Sequence, residues 1–319
     1  MEILDSQSLS GWLNILKPPG MTSHDVVAWV RRLTAQPRSP KIGHIGTLDP
    51  AASGVLPLCV GKATRLSIFA DPHEKSYTCE IVFGIETDSF DADGKIIRQE
   101  SVSLSEEDIL AVLPRFTGDI QQQPPKYSAI QIDGKRAYRM AKLGQEFELP
   151  TRPVTIHQLQ LLDFRAGPSP RAIFSVVCSK GTYIRSICRD IGAALGCGAY
   201  LGFLSRTGVG PFKLEESSTL EELQQAEVVG ALLPLDFPLR HLPEAQLDAT
   251  QACSFCMGTA IEGIAPPEAE YIRVYAFESG EFIGIGRSVE LAIKPAVVLA
   301  SPQQYCPATR GEIIDEDLS

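Results

Sequence analysis

No stretch of this 319-residue sequence approaches the roughly 20 consecutive apolar residues that a helix needs to cross a bilayer. The opening residues, Met1-Glu2-Ile3-Leu4-Asp5, lack the basic-then-apolar pattern of a secretory signal. Both absences predict a cytoplasmic protein with no membrane partner. There is no glycine-rich dinucleotide fingerprint, no phosphate-binding P-loop and no complete set of metal-ligand spacings, so no cofactor and no metal are expected. Basic residues are in the minority: 29 Lys and Arg against 39 Asp and Glu, a net charge of −10. That balance argues against a nucleic-acid partner until its distribution is read. Residues 212–319 hold 6 basic and 18 acidic residues, which leaves 23 and 21 in residues 1–211. The acid is concentrated in the last third, down to Glu312, Asp315, Glu316 and Asp317, and the first two thirds are free to carry a basic groove.

Cysteine is not scarce, but its pattern argues against a metal or redox framework. Most of the 8 cysteines sit in apolar surroundings such as Ser175-Val176-Val177-Cys178, which predicts buried thiols in a reducing compartment. Cys253-Ser254-Phe255-Cys256 is a lone C-x-x-C, with no second pair and no nearby histidine. The remaining composition is ordinary for a globular protein, 44% hydrophobic and 21% charged. The length suits one large domain plus a small one.

The stretch that stands out is Gly43-His44-Ile45-Gly46-Thr47-Leu48-Asp49-Pro50-Ala51-Ala52-Ser53-Gly54, which runs into the apolar Val55-Leu56-Pro57-Leu58-Cys59-Val60. It has neither helical nor strand period. Pro50 fixes its own φ and biases Asp49 toward an extended conformation. An Asp-Pro turn is often only structural. Here the carboxylate stands directly before chain that reads as buried, so it is aimed at something.

Around that stretch, Trp12 to Leu16 reads as a strand stopped by Pro18-Pro19-Gly20. Thr22 or Ser23 can cap a helix with Val26, Val27, Val30 and Leu33 on one face. Lys17 reads as a solvated turn lysine. Ala63 to Ala70 reads as helical, and Tyr77, Cys79, Ile81 and Phe83 alternate as the inner face of a half-buried strand. A core tyrosine is the plain reading of Tyr77. Asp88-x-x-Asp91-x-Asp93-Gly94 is an acidic turn whose spacing does not match a calcium loop. Ser105 caps a helix. Tyr127 to Ile132 reads as a strand, Asp133-Gly134 as a turn and Arg136 to Leu143 as a short helix. Residues 124–154 carry Lys126, Lys135, Arg136, Arg139, Lys142 and Arg152 against three acids, with Tyr127 and Tyr138 interleaved. Such a segment suits a solvated hairpin or an RNA backbone. Val154 to Phe164 and Ala172 to Cys178 read as long strands, followed by a helix with the stripe Ile184, Ile187, Cys188, Ile191 and Leu195. Arg185 and Arg189 share its other face. Arg185 lies in the first turn, where the helix dipole disfavours a cation, so it calls for an anionic partner.

Gly-His-x-Gly-Thr-Leu-Asp-Pro-x-Ala-x-Gly-x-Leu-Pro, preceded by Leu16-Lys17-Pro18-Pro19-Gly20, resembles the bacterial tRNA pseudouridine synthase B family. The later landmarks recur in the family's order: Lys75-Ser76-Tyr77, Thr87 to Gly94, Pro125-Lys126-Tyr127-Ser128-Ala129 and Cys178 to Arg185. The resemblance covers residues 10 to 210 closely and the remainder loosely. It implies an α+β protein. Its parts would be a catalytic domain over residues 1–211 built on a large mixed β-sheet with peripheral helices, with an RNA-binding thumb inserted at about 124–154; a connection over 212–241; a small β-rich, PUA-like domain over 242–302; and an acidic, disordered tail over 303–319. It further implies a monomer that isomerises a uridine in the T-arm loop of tRNA (position 55), with no guide RNA.

Pseudouridylation breaks the bond from ribose C1′ to uracil N1, turns the base and rejoins it through C5, with no change of oxidation state. It needs a carboxylate, a holder for the detached uracil and the exclusion of water. The resemblance makes Asp49 the carboxylate nucleophile, Arg185 its ion-pair partner and Tyr77 the ring stacked on the base. Leu204 becomes the apolar floor. His44 would fill the space vacated by the flipped base, Tyr183 would contact the substrate, and Lys17 and Asp91 would support the site. Lys126, Lys135, Arg136, Arg139 and Lys142 would bind RNA from the thumb. Attack of Asp49 at C1′, attack at C6 and removal of the 2′-proton all remain open. Three other readings compete: a non-catalytic tRNA-folding factor, a guide-RNA-dependent pseudouridine synthase, and an aspartic hydrolase, which would want a second Asp-Thr/Ser-Gly turn that this chain lacks.

Overall fold

The first strand, β1 (Gly11–Lys17), is buried at all but one of its positions and ends where Pro18 removes a donor. The computed structural model describes residues 9–306 except 35–38, 71–73, 129, 133, 226 and 227. Helix α1 (Ser23–Leu33) starts at Thr22, whose hydroxyl accepts the Asp25 amide while the Asp25 carboxylate accepts the Thr22 amide. Val26, Val27 and Val30 form its buried stripe. Next come β2 (Ile42–His44) and β3 (Ser53–Val60), the latter apolar and buried on both faces. In β4 (Glu74–Phe83) the alternation turns Tyr77, Cys79, Ile81 and Phe83 inward. A hairpin of β5 (Ile85–Thr87) and β6 (Ile96–Gln99), helix α2 (Glu106–Val112) capped by Ser105, and β7 (Gly118–Gln122) lead to the basic segment. That segment contains β8 (Gln131–Ile132), β9 (Lys135–Arg136) and α3 (Ala137–Lys142).

Then follow β10 (Arg152–Arg165), β11 (Arg171–Ser179), α4 (Ile184–Ala194), β12 (Ala199–Val209), β13 (Phe212–Lys213) and α5 (Leu220–Gln225). The C-terminal part holds β14 (Glu244–Leu247), α6 (Ala249–Cys256), β15 (Ile261–Glu262), β16 (Tyr271–Ala276), β17 (Phe282–Val289) and β18 (Ala292–Val298).

Among the described residues, nine strands form one mixed sheet in the order β1-β3-β12-β4-β11-β10-β7, with β2 beside β3 and β13 beside β12. Every pairing is antiparallel except β3 with β12. That central position brings the β3 end of the glycine-rich loop next to Ser205 and Arg206. Helix α4 packs Ile184, Ile187, Cys188 and Ile191 onto the inner face of β4, β11 and β12. A second sheet, β14-β16-β17-β18-β15, has its own apolar core around Phe255, Ile272, Val274 and Ile283. The two sheets meet in a shared cluster that includes Trp12, Phe212, Ile285 and Val297, with Phe69 edge-on to Tyr271 at 5.0 Å. Among the described residues no helix is long and apolar enough to cross a membrane.

Several expectations need correction. Ala63 to Ala70 is not an α-helix: a 3-10 turn spans Gly61–Arg65, and the Thr64 and Ser67 hydroxyls bond carbonyls three residues back, competing with α-helical bonding. Tyr127 to Ile132 does not form the expected strand: among the described residues of that segment, only Gln131 and Ile132 pair with another strand. Part of the expected turn, Asp133, lies outside the described residues. Residues 212–241 lace along β1 as well as connecting: Trp12 and Leu233 exchange backbone bonds at 3.0 and 2.7 Å, and Leu16 and Asn14 bond Ser218. Reduced cysteines are overturned at one pair. Cys253 in α6 is disulfide-bonded to Cys306, with Cα atoms 5.0 Å apart. Their separation of 53 residues hides the pairing in the sequence. The remaining six are free and buried. The disordered tail therefore does not begin at 303: Pro302–Gln304 is a 3-10 turn that delivers Cys306 to α6. Residues 307–319 lie outside the described residues.

Candidate active site

The glycine-rich loop turns at Gly46, where φ is +67°, and enters β3 at Gly54, where φ is +110°. A Cβ on Gly54 would stand 2.2 Å from the Arg206 carbonyl oxygen, so only glycine lets the loop lie this close to β12. Between these points Asp49 closes a turn by accepting the Ala52 amide on its carbonyl at 3.1 Å.

Three buried side chains clamp the loop. Ser23 accepts the Leu48 amide at 2.9 Å and donates to the Leu48 carbonyl at 3.1 Å. Lys17 donates to the carbonyls of Pro18, Met21 and Pro50 at 2.8, 2.7 and 3.1 Å. Arg206 donates to the carbonyls of Val55, Gly46 and Thr47 at 2.8, 2.9 and 3.5 Å. The solvated reading of Lys17 is therefore wrong: it is fully buried beneath Pro50. Burial, with a contribution from Arg206, pushes its ammonium down to about 8 against the opposing pull of Asp49.

Asp49 is held out of the loop toward Arg185, with Oδ2 2.8 Å from Nη2. Arg185 is not on a shared outer face with Arg189. Its side chain is 7% exposed, and it points back from the first turn of α4. Its Nη1 also faces Asp91 at 3.4 Å, and Nη2 donates to the Tyr127 carbonyl at 3.1 Å. Two carboxylates and two carbonyls, the second that of Ser89 at 3.4 Å, thus answer a cation that the helix dipole opposes. Arg189 instead pairs with Asp190 and lies 4.8 Å from the centre of the Phe90 ring. The acidic turn closes on itself: Asp88 accepts the Lys95 amide, and Asp91 accepts from the Ser89 hydroxyl and the Asp93 amide.

The Asp49–Arg185 pair stands at a cleft of about 470 Å³ that Tyr77, Tyr127, Tyr183 and Leu204 also line. Tyr77 is 7% exposed, and burial pushes its phenol up to about 12. Leu204 sits opposite Cys79, and Arg206 opposite Tyr77, across the β4–β12 ladder. Tyr183 precedes α4. Its amide donates to the buried Gln122 side chain at 2.8 Å, Gln122 donates back to its carbonyl at 3.1 Å, and Arg152 lies over its ring at 4.6 Å. The Asp49 side chain is 49% exposed, so the dry carboxylate expected from the chemistry is open to water in the empty cleft.

His44 and Asp91 do not line this cleft among the described residues. Asp91 touches it only through Arg185. His44 is half-buried in β2, its Nδ1 has no hydrogen-bond partner, and burial next to Arg206 holds its imidazole below the usual range. Lys126, Lys135, Arg139 and Lys142 are exposed around the cleft's outer segment, whereas the side chain of Arg136 lies outside the described residues. Sequence reasoning passed over Arg206, Ser23 and Gln122. Arg206 carried a signal: it lies two residues after Leu204 in a strand, so it shares Leu204's face, and a buried arginine demands partners.

The fold that carries this cleft is shared with solved structures. A solved Cbf5-Nop10-Gar1 complex aligns with 92% of this chain and 86% of its own, at 27% identity and a TM-score of 0.69. An H/ACA RNP bound to a substrate RNA shares the fold at 24% identity and a TM-score of 0.71, covering 93% and 87% of the two chains. Residues 31–184 match the N-terminal domain model of the TruB family pseudouridylate synthases. Residues 185–239 match the tRNA pseudouridylate synthase B C-terminal domain, and 243–299 match the C-terminal model of pseudouridine synthase II TruB. The chain is 44% identical over 285 residues to the tRNA pseudouridine synthase B of Alkaliphilus oremlandii, spanning 87% of this chain and 93% of the relative. It is 46% identical over 256 residues to that of Symbiobacterium thermophilum, spanning 80% and 84%. The chain belongs to the TruB family of pseudouridylate synthases.

Proposed function

We propose that the protein isomerises uridine to pseudouridine in tRNA, in the T-arm loop at position 55, as a monomer that needs no guide RNA. The observation that carries the reading is the Asp49 carboxylate, 2.8 Å from a buried guanidinium, at the mouth of a cleft floored by Tyr77 and Leu204. The target uridine leaves its stack at a cost of roughly a few kcal/mol. Its base then lies on the Tyr77 ring over Leu204, and its ribose faces Asp49. Arg185 keeps the carboxylate ionised and aimed. The C1′–N1 bond breaks, the base turns, C1′ bonds to C5, the C5 proton leaves and N1 takes one up, so that the product has the substrate's mass. The nucleotide itself covers Asp49, which supplies the dryness that the empty cleft lacks. His44 enters from β2 to fill the gap in the RNA loop, and Tyr183 contacts the substrate. Lys17 and Asp91 act beneath the surface, one under Pro50 and one behind Arg185. Lys126, Lys135, Arg136, Arg139 and Lys142 form a basic thumb within 124–154. The catalytic unit is taken as residues 1–211, the connection as 212–241 and the PUA-like unit as 242–302.

The reading on tRNA is supported by relatives at 44–46% identity that are named as tRNA enzymes, against 24–27% for the H/ACA proteins. The test uses an unmodified tRNA transcript with no other addition, reading pseudouridine by carbodiimide labelling. The wild type converts one uridine. Asp49→Asn lowers turnover by about 10⁴-fold or more and keeps the fold and tRNA affinity. Normal product from Asp49→Asn removes the assignment.

A further inference from the structure

Arg206 has no exposed surface and lies opposite Tyr77 on the neighbouring strand. Its guanidinium has five N–H donors in a fixed fork. They reach the carbonyls of Val55, Gly46 and Thr47, and Tyr77 stands opposite across the β4–β12 ladder. Among the described residues no carboxylate pairs with it, in contrast to Arg185, which has two. A buried cation served only by neutral oxygens is a costly arrangement for stability alone. It is also a rigid link between the two halves of the site, because the same planar group bonds the loop that carries Asp49 and belongs to the residue opposite Tyr77 at the cleft floor.

We propose that Arg206 is a positioning residue for the isomerisation, acting through Tyr77: it occupies the phenol oxygen as a donor, so that the hydroxyl proton is left to face the bound nucleotide, while its carbonyl bonds hold the Asp49 loop in register with that phenol. The proposal rests on the function given above. Its charge also favours loss of the phenol proton, against the burial that raises it. The other groups facing the phenol, Asp49 from the loop and Cys178 from β11, both oppose ionisation, so Arg206 supplies the favourable field. The arrangement suits a phenol that gives or takes a proton at the nucleotide during the base's rotation. Gly46 belongs to the same device: a Cβ there would meet the Arg206 guanidinium at 3.2 Å and the Lys75 ammonium at 3.3 Å.

The test compares wild type, Arg206→Gln and Arg206→Lys in single-turnover pseudouridine formation, in tRNA affinity and in the ring-carbon resonance of tyrosine labelled beside its hydroxyl, with Tyr77 assigned by its loss in Tyr77→Phe. In Arg206→Gln the rate falls about 100-fold while affinity stays within about threefold, and the Tyr77 resonance moves. Arg206→Lys keeps the charge but not the planar five-donor fork, so its rate falls about 10-fold and its resonance moves less. A Gln variant within about threefold of the wild-type rate overturns the proposal. So does a slow variant whose Tyr77 resonance is unmoved, since that is a loop effect alone. Should circular dichroism show Arg206→Gln unfolded, the Lys variant decides: wild-type rate and resonance together reject the role. If the wild type itself makes no pseudouridine, the functional reading fails, and the resonance still reports whether Arg206 holds Tyr77.

Discussion

The two sheets of this molecule bury different kinds of residue. Among the described residues, every buried polar or charged side chain lies between Asn14 and Arg206, and three of them, Lys17, Arg185 and Arg206, are cations around one loop. The core of the C-terminal sheet holds only apolar side chains such as Phe255, Ile272, Val274 and Ile283. Its arginine, Arg273, stays near the surface with Glu244 and Asp236. Burying an apolar side chain stabilises by about 1.5–3 kcal/mol, whereas burying a cation is unfavourable until every donor is answered. The large sheet accepts that unfavourable term to aim a carboxylate and a phenol. The small sheet, among the described residues, buries no polar or charged side chain and is packed for cohesion.

The sharpest way to break this contrast is at Arg185. Arg185→Met should lower single-turnover rate by about 10²–10³-fold, since the carboxylate loses its aim and its counter-ion. The thermal midpoint should fall only modestly, because Asp49 is half exposed and water can take over its solvation. A large loss of stability with little loss of rate would reverse the assignment of roles. The opposite balance is expected at Phe255, fully buried beneath the small sheet. Phe255→Ala should cost about 3–5 kcal/mol in denaturant unfolding, while the folded fraction turns over within about twofold of wild type. Equal damage to catalysis would show that the small sheet takes part in the site.

A weaker effect is expected on the outer segment of the cleft. Neutralising Lys135, Arg136 and Arg139 together should reduce tRNA affinity about tenfold at low salt and flatten the dependence of log Kd on log salt by about 2. An unchanged slope would take these residues off the RNA.

A last effect, seen only as pH is varied, concerns Lys17. Its folded pKa of about 8 lies below the ordinary 10.5, so between these values the unfolded chain keeps a proton that the folded chain has released. Unfolding free energy therefore rises with pH across that window, and the difference between wild type and Lys17→Met should grow by about 1–3 kcal/mol from pH 8 to 10.5. Denaturant titrations at intervals of pH would read it, and a flat difference would mean that the ammonium is unperturbed.

Local features that depend on neighbouring residues were legible without coordinates. Thr22 and Ser105 cap helices because a hydroxyl and a carboxylate three residues on suffice for a capping box. The β4 alternation placed Tyr77 inward, and the α4 stripe found its core. The Asp49–Arg185 pair followed from a charge in the wrong place on a helix, joined to a family resemblance. What failed were readings that depend on distant partners. Lys17 looked like any turn lysine, because the carbonyl of Pro50 that it supports is brought beside it only when β1 and β3 pair. Cys253 looked unpaired because Cys306 returns from beyond the last strand. Residues 212–241 looked like a linker because their backbone partners are in β1.

The sequence by itself determined most of the strands and helices, though not the segments 63–70 and 127–132, and with them the faces they bury and the loop that presents a carboxylate, since these follow from side-chain period, glycine and proline placement and capping chemistry. Only the tertiary structure decided what answers each buried charge. Whether a cation meets a carboxylate, as Arg185 does, or backbone carbonyls, as Arg206 does, depends on which strands the sheet sets side by side, and that order is fixed by the packing of the whole chain.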